Sequence, residues 1–352
     1  MPGRPKSLFL VSAAVAVVAI ASGLELLRAG GVFRHVEYDF TGTCSAVALP
    51  GGARDLRVDQ ERGLAYLTVL DRDSGNGTVM LMDLNLAEPA PRAAMSRDPA
   101  HFHPLGLSLL KLPGRPVLLF AVSTGTDGVA SVEIAEQDMN GAFIPRESVR
   151  HPAFGNASLV LATAPGRFYV VDHHPPEGRM RQWESLLTKT GRDSIVLHDA
   201  GKVSVVAKDL AWVSGLAQSA DGSRLYVAEA LTQQLRVYRA GDDELTLERV
   251  IALGTSPGRL DVDADDVIWM SAHPRLLRYF AALDDGRVTA PTQVMRLDPR
   301  RPDAKPVQVF ADDGARISNG TAFARWRKML LIADHGNGAP SDHKVLICQP
   351  GR

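Results

Sequence analysis

Polar and charged residues that could bind a ligand or take part in catalysis recur near the beginnings of successive repeated segments of this 352-residue chain. They form a mixed polar set with two cations, namely Arg54, Asp55, Ser158, Ser214, Arg259 and Asn319. A guanidinium group is a planar fork of N–H donors that suits carboxylate or phosphate oxygens. The sequence therefore predicts that these residues bind an anionic ligand. The alternative is a structural network in which Asp55 neutralises an arginine.

A pair of histidines supplies the candidate base. His173 and His174 follow Asp172 at the end of an aliphatic run, and a histidine can exchange protons near neutral pH. We take His173 as the candidate catalytic residue, and the alternative is that both histidines are strand-end residues without chemistry. No nucleophile elbow, phosphate loop or HExxH motif is present in the sequence to fix a reaction.

The elements that position these residues are predicted to be strands. A unit of alternating strand, glycine turn and second strand recurs at residues 55–85, 106–136, 159–174, 215–239, 259–280 and 321–348. Six copies of about 50 residues fit the four-stranded blades of a β-propeller. The fold prediction is therefore all-β, a six-bladed propeller, with a β-sandwich array or another solenoid as the alternative. Residues 175–190 are predicted to form a lid insertion or a plain surface insertion.

Two cysteines stand where the folded domain should begin and end. A propeller has to protect the edges of its first and last blades, so we expect the segment around Cys44 to pair beside Cys348 in the last blade. In an oxidising compartment such a pair can form a disulfide. The alternative is two unpaired buried thiols.

The N-terminus predicts export. Arg4 and Lys6 precede an uncharged apolar run, residues 8–24, which Glu25 ends. Such a run is either a retained membrane anchor or a signal peptide cleaved near Ala19-Ile20-Ala21, and a buried helix of the domain is a third reading. We assign residues 1–30 to this segment and 31–352 to the propeller, located outside the cytoplasm. The net charge of −1, without a long basic run, argues against nucleic acid as a partner.

Three stretches carry a resemblance to a known family. TVMLMDLN at 78–85, SADGSRLYVAEALTQQLRVY at 219–238 and SAHP at 271–274 resemble the paraoxonase/arylesterase family, relatives of the gluconolactonase-type six-bladed calcium propellers. The resemblance covers residues 44–348. It implies a closing disulfide between Cys44 and Cys348, an exported chain, and hydrolysis of lactones and aryl esters with a catalytic calcium ion at the channel mouth.

The site residues of that family are mostly replaced here. Arg54-Asp55 stands for a Glu-Asp pair, Leu105 and Thr124 for two histidines, Ser158-Leu159 for Asn-Asp, Ser214 for an asparagine, and Gly258-Arg259 for Asp-Asn. Calcium takes six to eight oxygens, several of them anionic. Two fixed cations would repel it by several kcal/mol at an effective dielectric constant of about 20. We therefore predict no calcium in this position, with Arg54 and Arg259 replacing the metal electrostatically.

The resemblance implies a hydrolase of carboxylic esters or lactones, acting without the calcium of the family. The alternative is a non-catalytic propeller that binds an anionic small molecule or a protein partner at an arginine-lined channel mouth. His273, in SAHP, matches a family histidine outside the metal shell.

Overall fold

A computed structural model describes residues 5–71, 75–95, 102–125, 128–174, 178–336 and 343–351. Six four-stranded antiparallel sheets follow one another along the chain, and the innermost strand of each packs against the innermost strands of its two neighbours. The sheets therefore close into a ring around a central channel. The predicted six-bladed propeller is confirmed, with one predicted repeat in each blade.

The innermost strands are β2 (Gly52–Asp59), β6 (Pro104–Leu110), β10 (Ala157–Ala164), β14 (Val213–Gln218), β18 (Ser256–Val262) and β22 (Gly320–Trp326). Blade 1 continues outwards through β3 (Leu64–Leu70), β4 (Gly77–Asp83) and β5 (Arg92–Ala93). Blade 2 continues through β7 (Leu118–Thr124), β8 (Ala130–Gln137) and β9 (Phe143–Arg150). Blade 3 continues through β11 (Arg167–Asp172), β12 (Asp193–Asp199) and β13 (Lys202–Leu210). Blades 4 and 5 add β15 (Arg224–Glu229), β16 (Gln234–Ala240) and β17 (Leu245–Ala252), then β19 (Ile268–His273), β20 (Thr292–Leu297) and β21 (Val307–Asp312). Blade 6 adds β23 (Met329–Asp334), β24 (Lys344–Pro350) and β1 (Gly42–Ala48).

Apolar side chains fill the space between neighbouring blades. Leu56 and Leu67 of blade 1 pack with Leu331 and Val345 of blade 6 in one buried cluster. Most residues of the second strands are buried on both faces, which explains why their sequences are nearly continuous apolar runs. Gly222 has a φ of +75° in the predicted Asp221-Gly222 turn, a conformation that glycine adopts without strain.

The last blade is completed by the first strand of the domain. Strand β1 pairs antiparallel with β24, and Cys44 lies opposite Cys348. The two residues form a disulfide, with their Cα atoms 4.1 Å apart. Both the predicted closure and the predicted disulfide are confirmed.

The described part of the chain contains three α-helices, α1 (Pro5–Ala29), α2 (Gly178–Thr188) and α3 (Leu276–Asp284), and a short 3-10 helix at Pro152–Phe154. The prediction of strand structure through residue 280 was wrong, because Leu276–Asp284 is helical. Leu276, Tyr279, Phe280 and Leu283 recur at helical spacing, and three of them are buried. The apolar residues of 276–283 do not alternate with polar residues at a period of two, as they would in a half-buried strand.

Helix α1 extends away from the propeller and touches it at its C-terminal end. Leu10–Ala29 is an apolar stretch of 20 residues, few of which are buried, and it is long and apolar enough to cross a membrane. Leu26 is buried in a cluster with Leu186 of α2 and Leu276 of α3. The reading as a buried helix does not describe α1, because most of its described side chains are exposed.

Candidate functional site: a pocket at the mouth of the channel

Irregularities in the innermost strands define the pocket. Each of the six innermost strands shifts its register against the second strand of its blade close to the strand's beginning. The residues within these bulges include Arg54, Leu105, Ser158, Ser214, Gly258, Arg259 and Thr321, and all seven line one pocket of about 280 Å³. A β-bulge re-aims a side chain out of the regular pleat. The bulge near the beginning of each innermost strand therefore places residues of that blade on the pocket lining.

The structure brings most of the predicted site residues together. Arg54, Ser158, His173, Ser214 and Arg259 line the pocket, and Asp55 is fully buried beside Arg54. Asn319 lies elsewhere, in a second, more polar pocket with Ser318 and Asp334. It precedes the bulge of blade 6, and Thr321 takes the corresponding lining position.

Arg259 is held in the floor of the pocket by three blades. Its Nη1 donates to the carbonyl oxygen of Ser214 at 2.8 Å, and its Nη2 donates to the carbonyl oxygen of Arg54 at 3.1 Å. Its Nε lies 3.6 Å from Oδ1 of Asp55. Burial lowers the pKa of Arg259, and the charge of Asp55 counteracts that shift. The result is a fixed cation that links blades 1, 4 and 5.

Both carboxylate oxygens of Asp55 accept hydrogen bonds from the backbone. Its Oδ1 accepts from the backbone N–H of Leu56 and its Oδ2 from that of Leu107, both at 2.9 Å. Oδ2 also lies 3.6 Å from Nη2 of Arg57. These contacts are those of a buried structural carboxylate shared by two guanidinium groups.

This donor set does not fit calcium. The candidate ligands supply one carboxylate, whose oxygens each accept a backbone hydrogen bond, together with serines and two cations. Within the described residues, no three His, Cys, Asp or Glu side chains are grouped as a metal site. The cost of placing a divalent ion beside Arg54 and Arg259 would have to be met by anionic ligands, which the pocket lining does not provide among the described residues.

Arg54 pairs with a histidine that sequence reasoning missed. Its Nη1 donates to Nε2 of His335 at 2.6 Å, and His335 also lines the pocket. Because a guanidinium only donates, Nε2 of His335 is the accepting nitrogen of a neutral ring. The second cation of the pocket therefore also has a fixed position.

His273 is neutral and deeply buried in the pocket wall. Burial, followed by the charge of Arg259, lowers its pKa to about 3. Its ring centroid is 3.9 Å from that of Tyr279, and its Nε2 is 3.4 Å from Oγ1 of Thr321. Burial also raises the pKa of Tyr279. Both side chains are uncharged at neutral pH and can exchange hydrogen bonds with a ligand.

His173 has a carboxylate partner behind it. Its Nδ1 lies 2.8 Å from Oδ2 of Asp193, which is fully buried at the beginning of β12. His174, in contrast, is more exposed and lies 3.8 Å from Asp172. Only the first of the two histidines lines the pocket.

Trp212 and α3 form the apolar side of the pocket. Trp212 has a φ of +61°, which is a strained conformation for a bulky side chain. Its ring stacks on Phe280 with centroids 5.0 Å apart and lies 6.0 Å from His173. The strained backbone thus places an aromatic wall beside the candidate base, while Leu276, Tyr279 and Leu283 of α3 also line the pocket.

Fold and site together define a six-bladed β-propeller with an arginine-floored pocket at one mouth of its channel. The arylesterase family model matches residues 62–349, and the chain belongs to that family.

Two relatives and one solved structure illustrate the similarity. The chain is 28% identical to serum paraoxonase/arylesterase 1 of Rattus norvegicus over 333 residues, which are 90% of this chain and 91% of that protein. It is 24% identical to serum paraoxonase/lactonase 3 of Oryctolagus cuniculus over 284 residues, 77% of this chain and 76% of that protein. The structure of XC5397 from Xanthomonas campestris, described as a gluconolactonase, superposes with a TM-score of 0.53 at 12% identity, covering 91% of this chain and 99% of that one. This last similarity shows the fold alone.

Proposed function

We propose that the channel-mouth pocket hydrolyses small carboxylic esters or lactones, with arginines in place of a calcium ion. Membership of the arylesterase family and the arylesterase and lactonase names of two relatives support these substrate classes. One observation carries the metal-free part of the proposal. The guanidinium of Arg259 is held in place by hydrogen bonds to the carbonyl oxygens of Arg54 in blade 1 and Ser214 in blade 4.

The arginines supply the electrostatic part of the reaction. When water attacks the ester carbonyl, the carbonyl oxygen becomes negative before the bond to the leaving alkoxide breaks. A preorganised cation in a partly buried pocket stabilises that charge without reorganising. Loss of one such donor typically lowers kcat by about 10²–10³. Arg54 and Arg259 are the two cations of the pocket lining among the described residues.

His173 supplies the proton transfers. Its imidazole accepts a proton from the attacking water and returns it to the leaving alkoxide, so an ester gives a carboxylic acid and an alcohol, and a lactone gives one hydroxy acid. A positioned general base contributes about 10²–10⁴ to the rate. Ser158 and Ser214 contribute polar surface to the same pocket. The hydroxyl of Ser214 donates to the carbonyl oxygen of Pro257 at 2.6 Å and therefore fixes the strand instead of acting as a nucleophile.

Hydrolysis assays with the full-length chain in detergent test this proposal. Phenyl acetate and a five-membered lactone are supplied with a calcium chelator and, separately, with added calcium. We expect turnover that is equal in both conditions and that falls at least 100-fold in Arg259→Ala. The exposed Arg287, which pairs with Asp285 on the surface, provides the control Arg287→Ala. Turnover that requires calcium would overturn the metal-free mechanism.

The second candidate function is binding of an anionic ligand without catalysis. It is favoured by a lining with two guanidinium groups and, among the described residues, no carboxylate. In that case neither substrate is hydrolysed, but acetate or benzoate binds saturably and Arg259→Ala abolishes binding. A protein partner at the same mouth is the other form of this candidate.

We also propose that the propeller lies outside the cytoplasm. The disulfide favours an oxidising compartment, and the apolar α1 suits a signal or an anchor. If α1 is retained, it tethers the propeller to a membrane. Added protease should digest the propeller on intact spheroplasts, or leave it protected inside sealed microsomes, and the N-terminal sequence of the mature chain tests cleavage.

The role of residues 175–190 as a lid stays a prediction. Helix α2 forms most of that segment, and 175–177 lie outside the described residues.

A further inference from the structure

Asp193, at the beginning of β12 in blade 3, connects the segment that follows β11 to the beginning of blade 4. Its Oδ2 accepts from the backbone N–H of Val213 at 2.7 Å, and its Oδ1 accepts from that of His174 at 2.8 Å. The third contact is the 2.8 Å bond between Oδ2 and Nδ1 of His173. With three donors the fully buried carboxylate is well satisfied. Two of them, the backbone N–H groups, are sufficient for a purely structural role.

The third contact determines the chemistry of His173. An ionised carboxylate only accepts hydrogen bonds, so Nδ1 of His173 carries the proton. In the neutral ring Nε2 is then the basic nitrogen. Within the described residues no protein group is hydrogen-bonded to Nε2, although the ring lines the pocket and its side chain is only 16% exposed.

The surroundings hold the ring in this orientation. Trp212 packs against it with ring centroids 6.0 Å apart. Asp193 is in direct contact with the ring, and Asp172 and His174 are its sequence neighbours. The other charged or titratable groups on the pocket lining are Arg54, Arg259, His273, Tyr279 and His335. A second carboxylate, Asp172, is directed towards the backbone N–H of Asn156. Asp193 is therefore the group that sets the tautomer of His173.

We infer that Asp193 is the positioning residue of a His–Asp pair in which His173 presents basic Nε2 to the substrate. The inference rests on the proposed hydrolase function for its catalytic part. It gives the pocket an orienting group behind its base, the arrangement that lets a buried carboxylate fix an imidazole and stabilise the imidazolium formed during the reaction. Asp193 touches no substrate in this arrangement and acts through His173.

Nitrogen NMR of histidine-labelled protein tests the positioning role without requiring turnover. His173→Gln identifies the signals of His173 by their loss. We expect the Nδ1-protonated tautomer of His173 in the parent protein and a shift towards the Nε2-protonated tautomer in Asp193→Ala, because Nδ1 then lacks its carboxylate acceptor. An Nε2-protonated ring in the parent protein, or an unchanged tautomer in Asp193→Ala, would overturn the inference.

Kinetics test the catalytic consequence. We expect His173→Gln and Asp193→Ala each to lower kcat by about 10²–10⁴ with little change in KM. The double variant should be no slower than His173→Gln alone, because both substitutions disable one unit. His174→Gln is the matched control and should retain parental kcat. Additive losses would indicate a merely structural Asp193 and would contradict the inference.

The outcomes separate the two proposals. If the parent protein hydrolyses neither substrate but shows the expected tautomers, the hydrolase function fails and the positioning role stands. If the parent is active and His173→Gln retains full kcat, the His–Asp pair fails as the base and the hydrolase function stands. Should Asp193→Ala fold poorly, the tautomer in the parent protein and the kinetics of His173→Gln still test the inference, because His173→Gln leaves both backbone hydrogen bonds to Asp193 in place.

Discussion

The Nε atom of Arg259 lies 3.6 Å from Oδ1 of Asp55, and Nη2 of Arg57 lies 3.6 Å from the other oxygen of the same carboxylate. A single buried anion is thus shared by two largely buried cations, of which Arg259 lines the pocket. The donors of Arg57 also reach carbonyl oxygens of Leu107 and Leu260. Charge and hydrogen bonds therefore hold the innermost strands of blades 1, 2, 4 and 5 together at the channel.

The first prediction concerns the stability that this network provides. Arg259→Met should lower the free energy of unfolding by about 3–5 kcal/mol, because it removes one partner from a buried ion pair and leaves Asp55 underneutralised. Urea unfolding measures the change, and Arg287→Met at an exposed ion pair should stay within about 0.5 kcal/mol of the parent. Calcium chelation should leave the parental curve unchanged. A loss of stability on chelation would contradict the role assigned to the arginines.

The second prediction concerns His273 and acid stability. The pKa of His273 is about 3 in the folded protein, against an ordinary value of 6.5. The unfolded chain therefore binds a proton between these values that the folded protein excludes. The contribution of His273 to stability is fully present above pH 6.5, and it falls by up to about 1.4 kcal/mol per pH unit as the pH drops towards 3.

A substitution isolates this contribution. In His273→Gln the slope of unfolding free energy against pH between about 6.5 and 4 should be shallower than in the parent by roughly one proton. NMR titration of the parent should show a neutral His273 throughout the range from pH 8 to pH 5. Protonation of His273 within that range would show that its wall of the pocket is more hydrated than the structure indicates.

The sequence predicted the fold and much of the pocket because both follow from a repeat. Arg54, Ser158, Ser214 and Arg259 occupy corresponding positions of different blades, and corresponding positions meet at the channel mouth. Asn319 was assigned by the same logic but precedes its bulge, since register shifts leave no trace in a pattern of apolar residues. Thr321 occupies the lining position instead.

Two residues that contact His173, Asp193 and Trp212, lie outside the predicted repeats. Asp193 begins β12 directly after an insertion, and Trp212 follows a turn between blades. Neither position has a periodic signal, because the contacts of Asp193 and Trp212 with His173 depend on how two blades and α3 pack. The aromatic spacing of α3 was the one available indication of a helix beside the pocket.

The third prediction concerns the closing disulfide. It joins residues separated by 304 positions, and the chain-entropy model for a loop of that size gives a stabilisation of about 5–6 kcal/mol as an upper value. The double variant Cys44→Ser, Cys348→Ser should unfold at a lower urea concentration than the oxidised parent. A reductant should shift the parent to the midpoint of the variant and leave the variant unchanged. Coincident curves for all samples would mean that the β1–β24 ladder closes the ring by itself.

The fourth prediction concerns close approach of blades 4 and 5 at the pocket. Gly215 directly follows the bulged Ser214, and a Cβ atom added there would lie 2.4 Å from the carbonyl oxygen of Gly258 and 2.8 Å from Cγ of Leu260. Gly215→Ala should therefore push β14 away from β18 and disturb the bond between Arg259 and Ser214. Overpacking of this kind costs about 1–3 kcal/mol.

Gly114→Ala is the matched control for that variant. Gly114 has a φ of +69° with open space around its Cα, so alanine should cost about 1–2 kcal/mol from backbone strain alone. Both variants should lose stability by urea unfolding, but only Gly215→Ala should also lose hydrolysis, or carboxylate binding, at the pocket. Equal pocket function in the two variants would show that the spacing of β14 and β18 does not set the position of Arg259.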